Sequence, residues 1–414
     1  MVACAGDRRR IVNSGDGCET GNRRHVSQVE VVELSHTREP AAILEYRRDW
    51  ERLAAGEPFS FPDFDECRVL TEGHPGDVLL IVGRSEGVVT TLACFYRVST
   101  RKSFRVGERR LFSLPVSQVQ LFGSSVLGNL GGATFSRMLD MVCAAFRFHL
   151  LTLGEIKVQS TLFDAAAAVG DRFLLAETSR KRSLRWLIRV PRDFETYLMS
   201  LGAKSRQNIR RELRRVEQRS DSRFQCVTAV EEVEAFLVAA ESISRRTYQW
   251  NVGQRVNNDA PTRRALGDRS RNETLRCYLL WLENRPCAFM RGKLVQGVYE
   301  LETTGFDPEF GKASPGAVLL IWAIRDLIEH SNCSVFDFGT GGDDVGYKAR
   351  FGNESHACAS LQLGPRSSIY SWLLFALQGG LNKSLNLANR VLGQGALRTR
   401  VKRALRKYGD GNSA

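Results

Sequence analysis

The sequence predicts an α/β (α+β) protein of two tandem modules, each a mixed, mainly antiparallel twisted sheet flanked by helices. Short β-branched apolar runs alternate with stretches of helical periodicity from about residue 29 to 365. Several neighbouring apolar runs are joined by short turn-like links, which suits hairpins. The order helix, hairpin strands, helix, strand occurs twice, although no residue-level repeat accompanies it. The expected boundaries are 1–28 for a polar, Gly- and Arg-rich disordered lead-in, 29–180 for the first module and 181–365 for the second. A basic helical tail occupies 366–414.

In the first module, Asp77–Val82 and Gly87–Tyr96 are apolar runs separated by Gly83-Arg84-Ser85-Glu86, a strand hairpin by pattern. Leu111–Leu114 and Val119–Phe122 read as short strands. Phe135–Leu151 carries Met138, Met141, Val142, Ala145, Phe146 and Leu150 at helical spacing, and Ile156–Ser160 reads as a strand. In the second module Trp186–Val190 is a strand, followed by a helix from Arg192 and a very basic segment, Ser205–Arg219. Then come a strand at Phe224–Thr228 and a long helix at Glu231–Trp250. Leu275–Glu283, Pro286–Val295 and Gln296–Gly305 form a three-strand meander. Pro315–His330 is a helix, and Ser334–Phe338 and Ala357–Leu363 are strands.

The 414 residues are 43% hydrophobic and 25% charged, a balance that supports a sizeable core. Lys and Arg number 59 against 46 Asp and Glu, so the formal charge of +13 favours anionic partners without choosing among them. None of the ten Cys forms a close CxxC pair or sits beside a His at metal-ligand spacing, and most lie in apolar runs as small hydrophobes. That usage reads as reduced and intracellular. No signal-peptide pattern opens the chain, and the apolar run Ile369–Leu377 is far shorter than the ~20 residues a membrane span needs. The expected location is cytoplasmic. P-loop, HExxH and GxSxG patterns are absent, and the six His are scattered, so no metal is expected.

Two segments concentrate chemistry. In the first, a strand ending at Thr304 leads through Gly305–Ala313 into Ser314-Pro315-Gly316, where Ser is a good N-cap and Pro a good first helical residue. A strand, a Gly-containing loop and a helix N-terminus make an anion site, because free backbone N–H groups and the helix dipole meet there. Gly311, Lys312, Ser314, Gly316 and Ala317 are the candidate residues for the pyrophosphate of coenzyme A; a connector that binds nothing has the same pattern. In the second segment, Phe336–Gly352, Asp337 ends a strand, Asp343 and Asp344 sit in a Gly-rich turn, and Tyr347-Lys348 follow. Loops at strand ends collect binding groups, although Asp residues also cap turns.

The run from Tyr299 through Ser314-Pro315-Gly316 to Phe336-Asp337-Phe338-Gly339 and Tyr347-Lys348-Ala349-Arg350-Phe351-Gly352 resembles the acetyltransferases related to cellulose and exopolysaccharide biosynthesis. That group lies in the GNAT superfamily and is similar to Fem-type peptidyl transferases. Ser205–Arg211 resembles the family's Arg-rich helix, and Pro58-Phe59-Ser60-Phe61 resembles its N-terminal opening segment. The 341–347 loop is a little longer than the family pattern, and the Gly-rich loop at 311–316 is degenerate.

The resemblance implies metal-free, acyl-CoA-dependent N- or O-acyl transfer, with acetyl-CoA as donor. The acceptor is an amine or hydroxyl of a small molecule, saccharide or envelope precursor. It further implies Asp337 as general base or acceptor anchor, Asp343 or Asp344 as substitutes, Tyr347 as acid and Lys348 as an anion or carbonyl contact. Arg206, Arg210, Trp250 and Glu302 are the expected substrate contacts.

In Ser205–Arg219, Ile209, Leu213 and Val216 share one helical face beneath rows of Arg, a pattern that suits a solvated surface helix or the binding of a phosphorylated acceptor, a nucleotide-linked sugar, the CoA phosphates or RNA. The tail places Leu397, Val401 and Leu405 among six cations. It suits either a docked C-terminal helix or peripheral contact with an anionic inner-membrane surface through 394–414. Two alternatives stay open: a Fem-type aminoacyl transferase using charged tRNA, and a non-catalytic basic adaptor for nucleic acid or membrane.

Overall fold

The computed structural model describes residues 32–55, 63–106, 109–178, 182–247, 255–341 and 346–391. The lead-in 1–28, the opening segment Pro58–Phe61, Trp250, Asp343, Asp344 and the tail 394–414 lie outside the described residues.

The described strands are β1 (Glu33–Thr37), β2 (Val78–Ser85), β3 (Val88–Val106), β4 (Arg109–Leu121), β5 (Leu127–Gly128), β6 (Leu150–Lys157) and β7 (Phe173–Glu177). They continue with β8 (Ser183–Arg189), β9 (Arg223–Val227), β10 (Cys277–Leu282), β11 (Arg285–Val295), β12 (Val298–Phe306), β13 (Val335–Thr340) and β14 (Glu354–Pro365). They form one sheet in the order β1-β2-β3-β4-β6-β14-β8-β13-β12-β11-β10-β9, with β5 beside β3 and β7 beside β14.

The two halves repeat one plan. β2, β3 and β4 make an antiparallel meander, the helix Gly132–Ala145 follows, and β6 returns parallel to β4. Likewise β10, β11 and β12 make a meander, the helix Pro315–His330 follows, and β13 returns parallel to β12. Both parallel returns need a crossover long enough for a helix, which is why the helix sits at that point of each cycle. The sheet becomes continuous because β14 crosses the seam. Its first residues pair with β8, and from Cys358 onward it pairs with β6 and β7.

Strand composition reflects burial on two faces. In β10, Tyr278, Leu280 and Leu282 pack with the helices Ala203–Glu217 and Pro315–His330, whereas Cys277 and Leu279 pack with the helix Val233–Arg246. The period-2 alternation of side chains thus feeds two cores, and the strand reads as an unbroken apolar run. β2 behaves the same way: Leu79 and Ile81 face the helix Gly132–Ala145, and Val78, Leu80 and Val82 face the helices Arg47–Ala54 and Phe64–Gly73.

Some expected elements differ. Leu111–Leu114 and Val119–Phe122 belong to the single strand β4, which runs through Pro115. Pro lacks a ladder donor, but β6 pairs with β4 only at Gln118–Gln120, so the position opposite Pro115 needs none. The expected helix Phe135–Leu151 ends at Ala145, and β6 occupies Leu150–Lys157 instead of Ile156–Ser160.

An ion network ties the halves together. Glu66, on the helix Phe64–Gly73, lies 2.7 Å from Lys293 and 3.0 Å from Arg269. Lys293 also reaches Glu300 at 3.1 Å, and Arg269 reaches Glu302 at 2.6 Å. Lys293 is fully enclosed. Burial alone would depress its ammonium, but the two carboxylates more than offset this and hold it above its usual range.

Candidate active site

The parallel pairing of β12 and β13 is short: Val298, Tyr299 and Glu300 face Val335, Phe336 and Asp337, and there it stops. Beyond it the strands part, with Leu301–Phe306 leading away from Phe338–Thr340. The register of β12 against β11 also slips, so that Thr303 opposes Arg291 while Leu301 opposes Gly292. Glu302 is the extra residue of a β-bulge at the parting.

A cavity of about 440 Å³ opens where the strands separate. Met290, Leu301, Phe306, Leu320 and Phe351 make its apolar wall, and Thr304, Tyr347 and Arg350 bring polar groups to it. Gly305 is required by packing: a Cβ there would meet the Phe289 ring at 2.7 Å. Asp307 fixes the start of the next turn. Its carboxylate is buried, accepts from the Glu309 backbone N–H at 3.1 Å and from Arg246 Nη1 at 2.6 Å.

The turn Pro308–Ala313 then delivers the helix Pro315–His330 to the cavity. Ser314 does not cap it in the expected way. It sits in the left-handed region at φ 50° and ψ 46°, and its side chain caps no backbone N–H. This conformation is uncommon for a non-glycine residue and costs of order 1–3 kcal/mol. The consequence is an uncapped helix start. Pro315 has no N–H, so the amides of Gly316 and Ala317 are the first donors of the helix, and both residues line the cavity. A Cβ on Gly316 would approach the Phe306 ring at 3.1 Å, so glycine keeps this wall open.

The residues singled out from sequence separate into two groups. Gly311, Ser314, Gly316, Ala317 and Tyr347 line the cavity together. Lys312 is exposed and does not line it. Asp337 is only 1% exposed and is also absent from the cavity wall. Its Oδ2 accepts from Arg185 Nε at 2.8 Å, and its Oδ1 accepts from the Gly339 backbone N–H at 2.7 Å. Expected as the base, Asp337 is thus held by Arg185 and the Gly339 amide beneath the parting of the strands, outside the cavity lining.

Lys348 is likewise committed to structure. Its Nζ donates to the carbonyls of Phe338 at 2.7 Å and Thr340 at 2.8 Å, tying off the end of β13. Burial lowers its ammonium below the usual range. Glu302 accepts from Arg291 and Arg269 and stands in the ion network, away from the cavity. Burial pushes its carboxyl up, but the arginines prevail and hold it below the ordinary glutamate range.

The Arg-rich helix Ala203–Glu217 buries Ile209, Leu213 and Val216 as its spacing predicts. Arg206 and Arg210 lie on its solvent face with Arg211, Arg214 and Arg215, lining a separate open groove. Arg210 pairs with Glu195. Sequence reasoning missed Thr247, Thr304 and Arg350 as wall residues. Arg350 is held 3.6 Å from Glu212 and stacks over Phe351 at 5.0 Å, and its Nη2 is buried with no hydrogen-bond partner among the described residues. The Tyr347-Lys348-Ala349-Arg350 spacing was a usable signal, because i and i+3 share a helical face.

A splayed parallel strand pair, a β-bulge and an uncapped helix N-terminus around one cavity define a fold of the GNAT type. Residues 203–349 match the acetyltransferase (GNAT) domain family, a span that takes in the cavity lining up to Tyr347. Two solved structures share the architecture across both modules. One is FemX, at 9% identity, covering 80% of this chain and 96% of that one with a TM-score of 0.55. The other is the C-terminal domain of a protein described as a lysylphosphatidylglycerol synthetase from Agrobacterium fabrum. It is 13% identical, with 81% and 96% coverage and a TM-score of 0.50. At such identities the likeness is one of fold. No curated protein sequence matches this chain. Among the described residues no helix is long and apolar enough to cross a membrane.

Proposed function

We propose that this chain is an acyl-CoA-dependent acyltransferase with acetyl-CoA as donor and an amine or hydroxyl of a saccharide, small molecule or envelope precursor as acceptor. The observation that carries this reading is the apolar cavity at the parting of β12 and β13, bounded by the uncapped helix start and by Tyr347.

The residues present fit the donor. Gly316 and Ala317 offer two backbone N–H groups and the positive end of the helix dipole to a pyrophosphate. Arg350 adds a guanidinium on the cavity wall, its Nη2 3.6 Å from Glu212. Acyl-CoA, when bound, supplies the reactive thioester. Met290, Leu301, Leu320 and Phe351 exclude water from the reacting carbonyl, which strengthens each polar contact made there. Tyr347 is the proton donor to the leaving sulfur. Asp343 and Asp344, in the segment just before Tyr347, are the candidates for taking the acceptor's proton.

A second reading, transfer from aminoacyl-tRNA, is favoured by the basic helix. Arg206, Arg214 and Arg215 stand on its solvent face with no ion-pair partner among the described residues, and the helix packs beside the turn Pro308–Ala313. Calorimetry with acetyl-CoA at two salt concentrations tests the first reading. Saturable binding that Ala317→Asp abolishes and salt barely changes supports it. No acetyl-CoA binding, together with tRNA binding that falls steeply with salt, replaces it with the second.

A further inference from the structure

We propose that the outer face of the helix Ile369–Val391 is a docking surface for an anionic lipid bilayer. This rests on the helix and the charge of the sequence around it, and is independent of the donor.

The helix already has a buried side. Leu374 and Ser371 are enclosed, and Tyr370, Phe375, Leu377 and Leu381 pack around Phe104, Val116 and Leu150. Ser371 Oγ donates to the His149 carbonyl at 2.8 Å, and Tyr370 donates to that of Pro115 at 2.9 Å, so the orientation of the helix on the sheet is fixed. The opposite side is apolar as well. Ile369 is 87% exposed, Trp372 47% and Leu373 46%, and Ala376 and Gly380 continue the exposed stripe. Their spacing is that of a single helical face. A helix apolar on both sides has one side too many for a surface position.

Trp372 is held in place and not merely left over. Its Nε1 donates to the Arg366 carbonyl at 3.0 Å, and the Arg366 guanidinium lies 5.6 Å from its ring centroid. Trp beside a cation is the side-chain pair suited to a headgroup layer, where the ring meets acyl chains and the charge meets phosphate.

Charge selects the occupant. Arg366 stands exposed before the stripe and Lys383 exposed along it. In sequence, 366–414 carries nine Lys and Arg against the single acid Asp410. A second copy of a chain of charge +13 would bring like charge to this basic region, whereas an anionic bilayer brings the complement. From Ile369 to Gly380 the stripe is only about 18 Å long at ~1.5 Å per residue, so it lies on the surface and does not span it.

Vesicle flotation tests the proposal with full-length protein. The wild type is expected to float with vesicles of phosphatidylcholine and phosphatidylglycerol, and far less with phosphatidylcholine alone. Ile369→Ser, Trp372→Ser and Leu373→Ser together, all on exposed positions, should lower the partition coefficient at least ~10-fold. An unchanged thermal melt of this variant separates lost docking from lost folding. Replacing the 392–414 cations by Gln should weaken binding and flatten its salt dependence. The proposal is overturned if the wild type stays unbound, or if the triple-serine variant floats equally well. It is also overturned if light scattering shows a wild-type dimer that the triple-serine variant converts to monomer, which would assign the face to a second copy.

Discussion

Arg185 on β8 reaches across to Asp337 on β13 as a buried ion pair, with Nε 2.8 Å from Oδ2. The pair sits at the last paired position of β13 against β12, where the two strands begin to part. It therefore holds the floor of the splay instead of entering it. Removing one member leaves the other charge buried without its ion-pair partner, at a cost of about 3–5 kcal/mol. Asp337→Ala is expected to lower the urea midpoint strongly, and Arg185→Leu with Asp337→Leu should be less destabilised than the sum of the single changes. A double-mutant cycle by urea denaturation measures this. Additive losses would mean that the pair is not coupled.

Sequence showed the strand–loop–helix segment well because its signals are local. The apolar run of β12, Gly311, Pro315 and the 3.6-residue spacing of Ile321, Ile324 and Leu327 are read within thirty or so residues. Four of the residues chosen there, Gly311, Ser314, Gly316 and Ala317, share one cavity wall. The partner of Asp337 was hidden for the opposite reason. An acid at a strand end looks the same whether it faces a ligand or an arginine, and Arg185 lies 152 positions away. The route of β14 was equally hidden: Cys358 pairs with Lys157 through contacts that no local pattern encodes. Ser314 illustrates a finer limit. Its residue type predicts a cap, but the turn Pro308–Ala313 drives it into the left-handed region, where it leaves the amides uncapped.

That uncapped start makes a directional prediction. Ala317→Asp places a carboxylate beside the donors of the helix and is expected to abolish anionic donor binding by calorimetry, because the charge competes for the same N–H groups. Lys312→Ala should change affinity by no more than about twofold, since an exposed lysine outside the wall contributes only a screened charge. Equal effects of the two substitutions would move the anion site out to the turn.

Tyr347 is half-exposed and stands edge-on to Phe338, with ring centroids 6.1 Å apart. Tyr347→Phe keeps that contact and removes only the hydroxyl. The expected result is a fall of ~10² or more in kcat with donor affinity within a few-fold, the signature of a lost proton donor. A rise in KM alone would recast Tyr347 as a binding residue.

Glu302 gives a pH prediction with a defined sign. In the unfolded chain a glutamate titrates near ~4.3. In the fold, burial raises its carboxyl, but the Arg269 hydrogen bond and the charges of Arg269, Arg291 and Lys293 bring it below its ordinary range. A depressed carboxyl binds its proton more weakly when folded. Its stabilisation is therefore complete above the unfolded value and is lost as pH falls through the folded one. Glu302→Gln cannot titrate and should show a smaller drop in urea midpoint than wild type as the pH falls below about 4. The same variant separates the network from the cavity. If Glu302 serves only to join Arg269 and Arg291 at the bulge, donor binding at neutral pH should stay within about twofold while stability falls. A selective loss of acceptor turnover, with the urea midpoint unchanged, would return Glu302 to the substrate.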